Sequence, residues 1–322
     1  MSVSGARPAV QEVDVVYTWV NDQDPDWQQL HAHATGAFTH AGSLHSSVND
    51  TARFQNREEI RFSINALRRY APWVRHIFIV TNCALPAWAE DDPGISRVDH
   101  RDIFPDSSVL PTFNAFAIEA CLHRIDGLAE HFIYFNDDVF LMDHFEISEF
   151  FPAPGEVSVF LSRHDIPHAW REDLRPVEYS MLNSRQLLLE RFGFNPVKKL
   201  QHAPFPLVRS VMYEIDEAYS AQLVQTRSHP FREPSDLPLS TTLHAYWCMA
   251  TDRGHLSDVP GRYIDIGDPL FLLLVMPLSP LRRGRYRFLC LNEVNSMKYF
   301  AGLRDRIVVN LMRKLFPAGG GD

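Results

Sequence analysis

Cysteine is scarce: Cys83, Cys121, Cys248 and Cys290 are the four in 322 residues, and none sits in a CxxC pair. That spacing excludes a paired-cysteine zinc site and argues against a disulfide framework. The thiols read as small hydrophobes in a reducing compartment. Positive charge is in deficit as well, with 31 Lys and Arg against 40 Asp and Glu and a net charge of -9. A protein that grips a nucleic-acid backbone carries a basic patch or excess, so nucleic acid is disfavoured as a partner. Long apolar runs are missing. The longest, 269–278 (PLFLLLVMPL), falls well short of the roughly 20 residues a bilayer-spanning helix needs, and the opening MSVSGARPAVQEVD has no apolar leader core. These absences lead to the expectation of a cytoplasmic chain, with contact at the inner membrane face still open to it. Missing too are GxxxxGK[ST], GxGxxG, GxSxG and HExxH, which sets aside P-loop nucleotidases, dinucleotide dehydrogenases, elbow-type hydrolases and zincins.

What remains is a chain with 45% hydrophobic residues, long enough for one large core. Three runs, 14–20 (DVVYTWV), 76–81 (HIFIVT) and 132–135 (FIYF), are continuously apolar or β-branched, as in strands covered on both faces. Segments 57–70 and 112–125 lie between them with apolar residues at helical spacing. The alternation predicts an α/β layer with a mostly parallel sheet, helices on both faces, and ligands at the carboxyl ends of the strands. Further helices are expected over 184–192, 206–219 and 239–249, a loop or insertion over 151–176, and a late strand over 285–291. The tail 297–315 reads as a basic helix, packed on the domain or lying on a membrane surface.

Asn136, Asp137 and Asp138 directly follow the strand FIYF. Adjacent carboxylates at the end of a buried strand repel each other and offer the core nothing. A hard divalent cation, Mg²⁺ or Mn²⁺, would resolve both problems; the alternative is that these residues cap the following turn, as Asn and Asp often do. Asn292 and Glu293 follow RYRFLCL in the same way and could complete such a site or simply end the strand. His202, in a proline-bounded loop, is a candidate general base, though most of the 15 histidines need no function. Arg232 could clamp a phosphate or, more plainly, pair with Asp236 at the surface.

Taken in order, these blocks resemble the Stealth family of hexose-1-phosphoryltransferases. They are DVVYTWVN at 14–21, then 53–67, APWVRHIFIVTN at 71–82, LPTFNAFAIE at 110–119 and FIYFNDDVFL at 132–141, then 202–236, then CLNE at 290–293. The resemblance spans residues 14–293. It implies a single catalytic domain of Rossmann-like, GT-A-like nucleotide-sugar binding type, with the basic helix and tail at 297–322 appended. It implicates Tyr17, Thr18, Trp19 and Asn21 in nucleotide binding, Arg53 and Glu59 on the active-site face, and Asn114 along the donor sugar. Asn136 and Asp138 fall in the acidic catalytic motif, His202 and Arg232 in the catalytic pair, and Asp137, Asp138, Asn292 and Glu293 around the metal. Two departures stand out: Glu293 replaces the usual Asp, and Asn65 stands where Arg is common.

The implied reaction is attack of a glycan hydroxyl, free or lipid-linked, on the sugar-bearing phosphorus of a UDP-sugar. It would yield a phosphodiester in capsule or cell-surface polysaccharide and release a nucleoside monophosphate. An ordinary metal-dependent glycosyltransferase and a non-catalytic carbohydrate-binding protein are the alternatives. The sequence identifies neither the sugar, nor the acceptor, nor the oligomeric state.

Overall fold

The computed structural model describes residues 12–40, 56–268, 270–271, 275, 284–293 and 301–317. The central sheet is built as β1 (Val13–Thr18), β2 (Ile77–Val80), β3 (Ile95–Val98), β4 (His131–Asn136) and β9 (Phe205–Val208), in the order β3-β2-β1-β4-β9. The first four strands are parallel, and β9 closes one edge antiparallel to β4. All of β2 and all but the last residues of β1 and β4 are buried, the burial that their unbroken apolar runs require. Consecutive strands build outward from β1 to β3, and the chain then returns to place β4 on the other side of β1. The crevice between the carboxyl ends of β1 and β4 is therefore a topological switch point, where open α/β sheets bind ligands.

A second, three-stranded sheet has the order β11-β12-β5, from β5 (Val139–Leu141), β11 (Gly261–Asp265) and β12 (Phe288–Asn292). Its apolar layer is shared with Phe62 and Ala66 of the helix Glu59–Tyr70 and with Val308, Met312, Leu315 and Phe316. The last helix, Ala301–Leu315, thus packs its apolar face into the domain. Among the described residues no helix is long and apolar enough to cross a membrane.

Several expectations need correction. The segment 112–125 is not one helix. It runs Ala115–Glu119, and a 3-10 turn follows at Leu122–Arg124. Side chains from distant segments take the carbonyls a longer helix would have used. Ser240 donates to the Glu119 carbonyl, Arg227 to that of Ala120, and Arg209 to those of His123 and Ile125. Residues 205–208 are a strand, and the helix begins only at Arg209. Pro206 is tolerated there because β9 is an edge strand. The expected loop 151–176 contains two short strands, Val157–Val159 and Leu161–Asp165.

One buried ion cluster holds the helices behind the sheet. Asp216 accepts from His123 at 3.2 Å and lies 2.8 Å from Arg124 and 2.7 Å from Arg227. Burial alone would raise its pKa. The hydrogen bond from His123 and the arginine charges outweigh burial and hold Asp216 well below the carboxylate range. A depressed carboxylate stabilises the fold above its unfolded pKa and loses that contribution as pH falls through the folded value. Asp216→Asn should therefore cost about 3 kcal/mol at pH 7 and flatten the acid limb of the stability profile, as measured by urea unfolding from pH 7 downward. An unchanged midpoint at pH 7 would refute this.

Candidate active site

Thr18 and Asn136, the last residues of β1 and β4, are register partners. Their side chains meet at Tyr134, whose hydroxyl lies 2.8 Å from Thr18 Oγ1, 2.9 Å from Asn136 Oδ1 and 3.4 Å from Glu119 Oε1. Thr241 donates to the other Glu119 oxygen at 2.9 Å. Burial pushes the Glu119 carboxyl up to about 7, against the pull of Arg232, Thr241 and Tyr134. Tyr17 is wholly buried. Its hydroxyl meets Ser63 Oγ at 2.9 Å, and Ser63 donates to the Val139 carbonyl at 2.5 Å. Tyr17 therefore braces the crevice from behind, which corrects its assignment as a nucleotide contact. Thr18 and Asn21 keep accessible surface, and the buried Trp19 indole N–H has no hydrogen-bond partner.

Asp137 and Asp138 form the two-residue passage from β4 to β5. Both are half-buried. Burial, the adjacent Asp138 and the nearby Glu59 hold the Asp137 carboxyl well above the usual range. Burial likewise pushes Asp138 up to about 6, with Glu59 adding to the rise and Cys290 opposing it. Cys290 Sγ lies 3.5 Å from Asp138 Oδ2, while Asp138 Oδ1 is buried without a partner. Two crowded carboxylates and one orphaned oxygen suit a hard cation, and the neutral oxygens of Asn136 and Asn292 stand at the neighbouring strand ends. Among the described residues no three His, Cys, Asp or Glu side chains converge as a ready-made ligand set. Mg²⁺ needs no such cage, because one or two carboxylates with substrate phosphates suffice.

Glu293 departs from expectation. Its oxygens are held by Arg57 and, at 2.5 Å, by Arg304, so the carboxylate faces arginines rather than an open cation site. Glu59 begins its helix, accepting from the Arg57 backbone N–H at 2.5 Å. Arg53 lies outside the described residues. Asn114 is fully buried. It caps the helix Ala115–Glu119 through Phe116 N–H at 3.1 Å and donates to Asp236 at 2.8 Å. It stands inside the wall and presents no surface to a sugar.

His202 is open to solvent, with its ring 5.0 Å from that of Tyr263. The surrounding protein mass, then the charges of Arg232, Lys199 and Arg175, lower its pKa. Arg232 lies 4.3 Å over the Phe116 ring. The surface pairing with Asp236 does not form: Asp236 is buried and binds His229 at 2.7 Å and Asn114. Arg232 makes no ion pair with a described carboxylate, and its Nε is buried without a partner. Burial, then the Glu119 charge, push the Tyr134 hydroxyl well above its ordinary pKa, with Arg232 opposing and Asp137 adding to the rise. Glu119, Tyr134, Thr241, Arg57 and Arg304 went unnoticed in the sequence because each belongs to a network that the fold closes between distant segments: Glu119 with Thr241, Tyr134 with Thr18, and Arg57 and Arg304 on Glu293. The one local hint was Glu119 at the end of LPTFNAFAIE.

Comparison with known proteins bears on this arrangement. Stealth protein conserved region 1 matches residues 11–38, region 2 matches 53–159 and region 3 matches 201–248. The exopolysaccharide phosphotransferase SCO6023 of Streptomyces coelicolor is 37% identical over 312 residues, 95% of this chain and 51% of its own length. SCO6021 of the same organism, also named an exopolysaccharide phosphotransferase, is 38% identical over 95% of this chain and 56% of its own. CpsY of Mycobacterium tuberculosis, of the same description, is 32% identical over 97% of this chain and 58% of its own. The chain thus spans about half the length of these relatives. Mouse xyloside xylosyltransferase 1 in its apo form overlays 87% of this chain and 97% of its own at 13% identity, with a TM-score of 0.42, too loose a likeness to bear on chemistry. Three conserved regions of one kind, in order, carry the acidic turn, His202 and Arg232, and the chain belongs to the Stealth family.

Proposed function

We propose that the chain transfers a hexose-1-phosphate from a nucleotide sugar, a UDP-sugar, to a hydroxyl of a glycan or lipid-linked glycan during exopolysaccharide synthesis. One observation carries this reading. Arg232, without an ion pair among the described residues, lies over the Phe116 ring with its Nε buried and unpartnered, and a crowded acidic pair stands at the switch point of the sheet. A desolvated guanidinium and two carboxylates able to hold a divalent cation suit a diphosphate whose charge is shared between the guanidinium and that cation. The names borne by the relatives support the same reading.

Asp137 and Asp138, with Asn136 or Asn292, would hold Mg²⁺ or Mn²⁺. When bound, the cation neutralises diphosphate charge. Arg232 gives planar donors to the non-bridging oxygens of the transferring phosphoryl group. His202, kept neutral near pH 7 by its surroundings, accepts the proton of the attacking acceptor hydroxyl. The new bond joins the acceptor oxygen to the sugar-bearing phosphorus. The phosphoanhydride bond breaks, and a nucleoside monophosphate leaves.

The decisive assay incubates the purified chain with UDP-sugars, Mg²⁺ and acceptor oligosaccharides and identifies the released nucleotide. UMP, with acceptor mass rising by a sugar phosphate, is the expected result. UDP, with acceptor mass rising by a bare sugar, would replace this reading with glycosyl transfer. The pH profile supplies a second check. A base with a lowered pKa stays active until pH falls through that value, so the acid limb of kcat should have its midpoint below the ordinary histidine value of about 6.5. His202→Ala should lower kcat about 10²- to 10⁴-fold and abolish that limb. A limb that persists in the variant would assign the base elsewhere.

A further inference from the structure

Two arginines and three carboxylates from three distant segments close a ring beside the acidic turn. Arg57 binds Glu293 through Nη2 and Asp305 through Nε at 2.8 Å, and its Nη1 lies 3.4 Å from Glu59. Arg304 binds the other Glu293 oxygen at 2.5 Å, with Asp305 at 3.1 Å. Arg57, Glu59, Glu293 and Arg304 are all less than one-tenth exposed. The ring ties together the start of the helix Glu59–Tyr70, the residue after β12, and the first turns of the helix Ala301–Leu315. It also adjoins the acidic turn: Ser63, one turn beyond Glu59, donates to the Val139 carbonyl at 2.5 Å, and the Leu291 N–H donates to the Asp138 carbonyl at 2.9 Å.

We propose that Glu293 is the anchor of this ring, and that Arg57 and Arg304 are positioning residues. They hold Glu293 away from the acidic turn, keep Glu59 beside it, and make the last helix a wall of the site. The inference deepens the reading of Asp137 and Asp138 as the cation-holding pair and rests on it. Its physical basis is charge accounting. Glu59 and Glu293 are both buried, and left unpaired they would be two uncompensated charges in the interior. Both arginine partners cancel that charge and dock the helix in the same act. The Glu293 side chain has the reach to bridge two arginines, one on each oxygen.

The test compares the full-length wild type with Glu293→Gln, Arg304→Gln, their double variant, and Asp138→Asn. Mn²⁺ alone serves as probe in calorimetric titration, and limited proteolysis of the folded protein reads the docking of residues 301–317. Glu293→Gln is expected to leave the Mn²⁺ Kd within about threefold of wild type, since Glu293 is not a ligand. It should also accelerate cleavage in 301–317 about tenfold or more. Arg304→Gln should accelerate cleavage similarly, and the double variant no further, the non-additivity of a direct pair. Arg304→Gln should in addition tighten Mn²⁺ binding by freeing the Glu293 oxygen that Arg304 held, the other staying on Arg57. Loosening of the fold would weaken binding instead, and restoring the wild-type Kd in the double variant separates the two. Glu293→Gln that weakens Mn²⁺ tenfold with cleavage unchanged would make Glu293 a ligand and overturn the proposal. Failure of Asp138→Asn to alter Mn²⁺ binding would overturn the underlying reading instead, while the cleavage data still judge the anchor.

Discussion

Asp137→Asn and Asp138→Asn should each lower kcat/KM at least about a thousandfold, roughly 4 kcal/mol of transition-state stabilisation, while making the metal-free protein more stable. The two effects share one cause. Each carboxylate is held above its usual pKa by burial and by the other acids around it. A carboxyl whose folded pKa exceeds its unfolded value costs stability at every pH above the unfolded value, and the cost vanishes below it. Removing one charge at neutral pH relieves that cost. Melting in chelator should therefore rise by about 2–4 °C for each kcal/mol recovered. Activity lost together with a higher Tm is the mark of residues kept for chemistry at the expense of folding. A lower Tm in chelator would make the pair structural and remove it from the mechanism.

The second large effect is expected at Arg232. Arg232→Ala should lower kcat about 10²- to 10⁴-fold, with the KM for the nucleotide sugar rising less than tenfold. Arg232→Lys should recover little of the loss, because a point charge cannot reproduce a planar fork stacked on Phe116. The substitution leaves the Asp236 carboxyl satisfied by His229, Asn114 and the Glu233 N–H, and the buried Glu119, which loses the Arg232 charge, keeps its hydrogen bonds with Thr241 and Tyr134. The variant should fold normally. Steady-state kinetics on the folded variant decides the matter, and an unchanged kcat would end the assignment of Arg232 to the transferring phosphoryl group.

The parts of the fold that could be read in advance are those whose burial is written locally. β1, β2 and β4 announce themselves as continuous apolar runs because both faces are covered. β3, with the sequence ISRV, does not, because Ser96 is half-buried and Arg97 exposed. The helix before β4 was overextended because sequence periodicity continues to Ile125, while the carbonyls that end the helix are taken by Ser240, Arg227 and Arg209. The site divides in the same way. Asp137, Asp138, His202 and Arg232, the residues proposed for the chemistry, stand in short, specific blocks. Glu119 was missed because its meaning depends on Thr241 and Arg232, more than a hundred residues away. Glu293 was placed as a ligand because nothing in CLNE announces Arg57 and Arg304. Asn114, inside a matching block, turned out to be a helix cap.

The acidic turn is also a mechanical joint. In two residues the chain leaves the five-stranded sheet at Asn136 and enters the three-stranded one at Val139. Whatever draws the two carboxylates toward a common centre must also set the angle at which one sheet meets the other. Loading the crevice should then be felt as stiffness well away from it. Amide exchange at Tyr263 and Leu291 in the smaller sheet should slow together with that at Val16 in the larger one, so that the molecule answers its ligand as a single body.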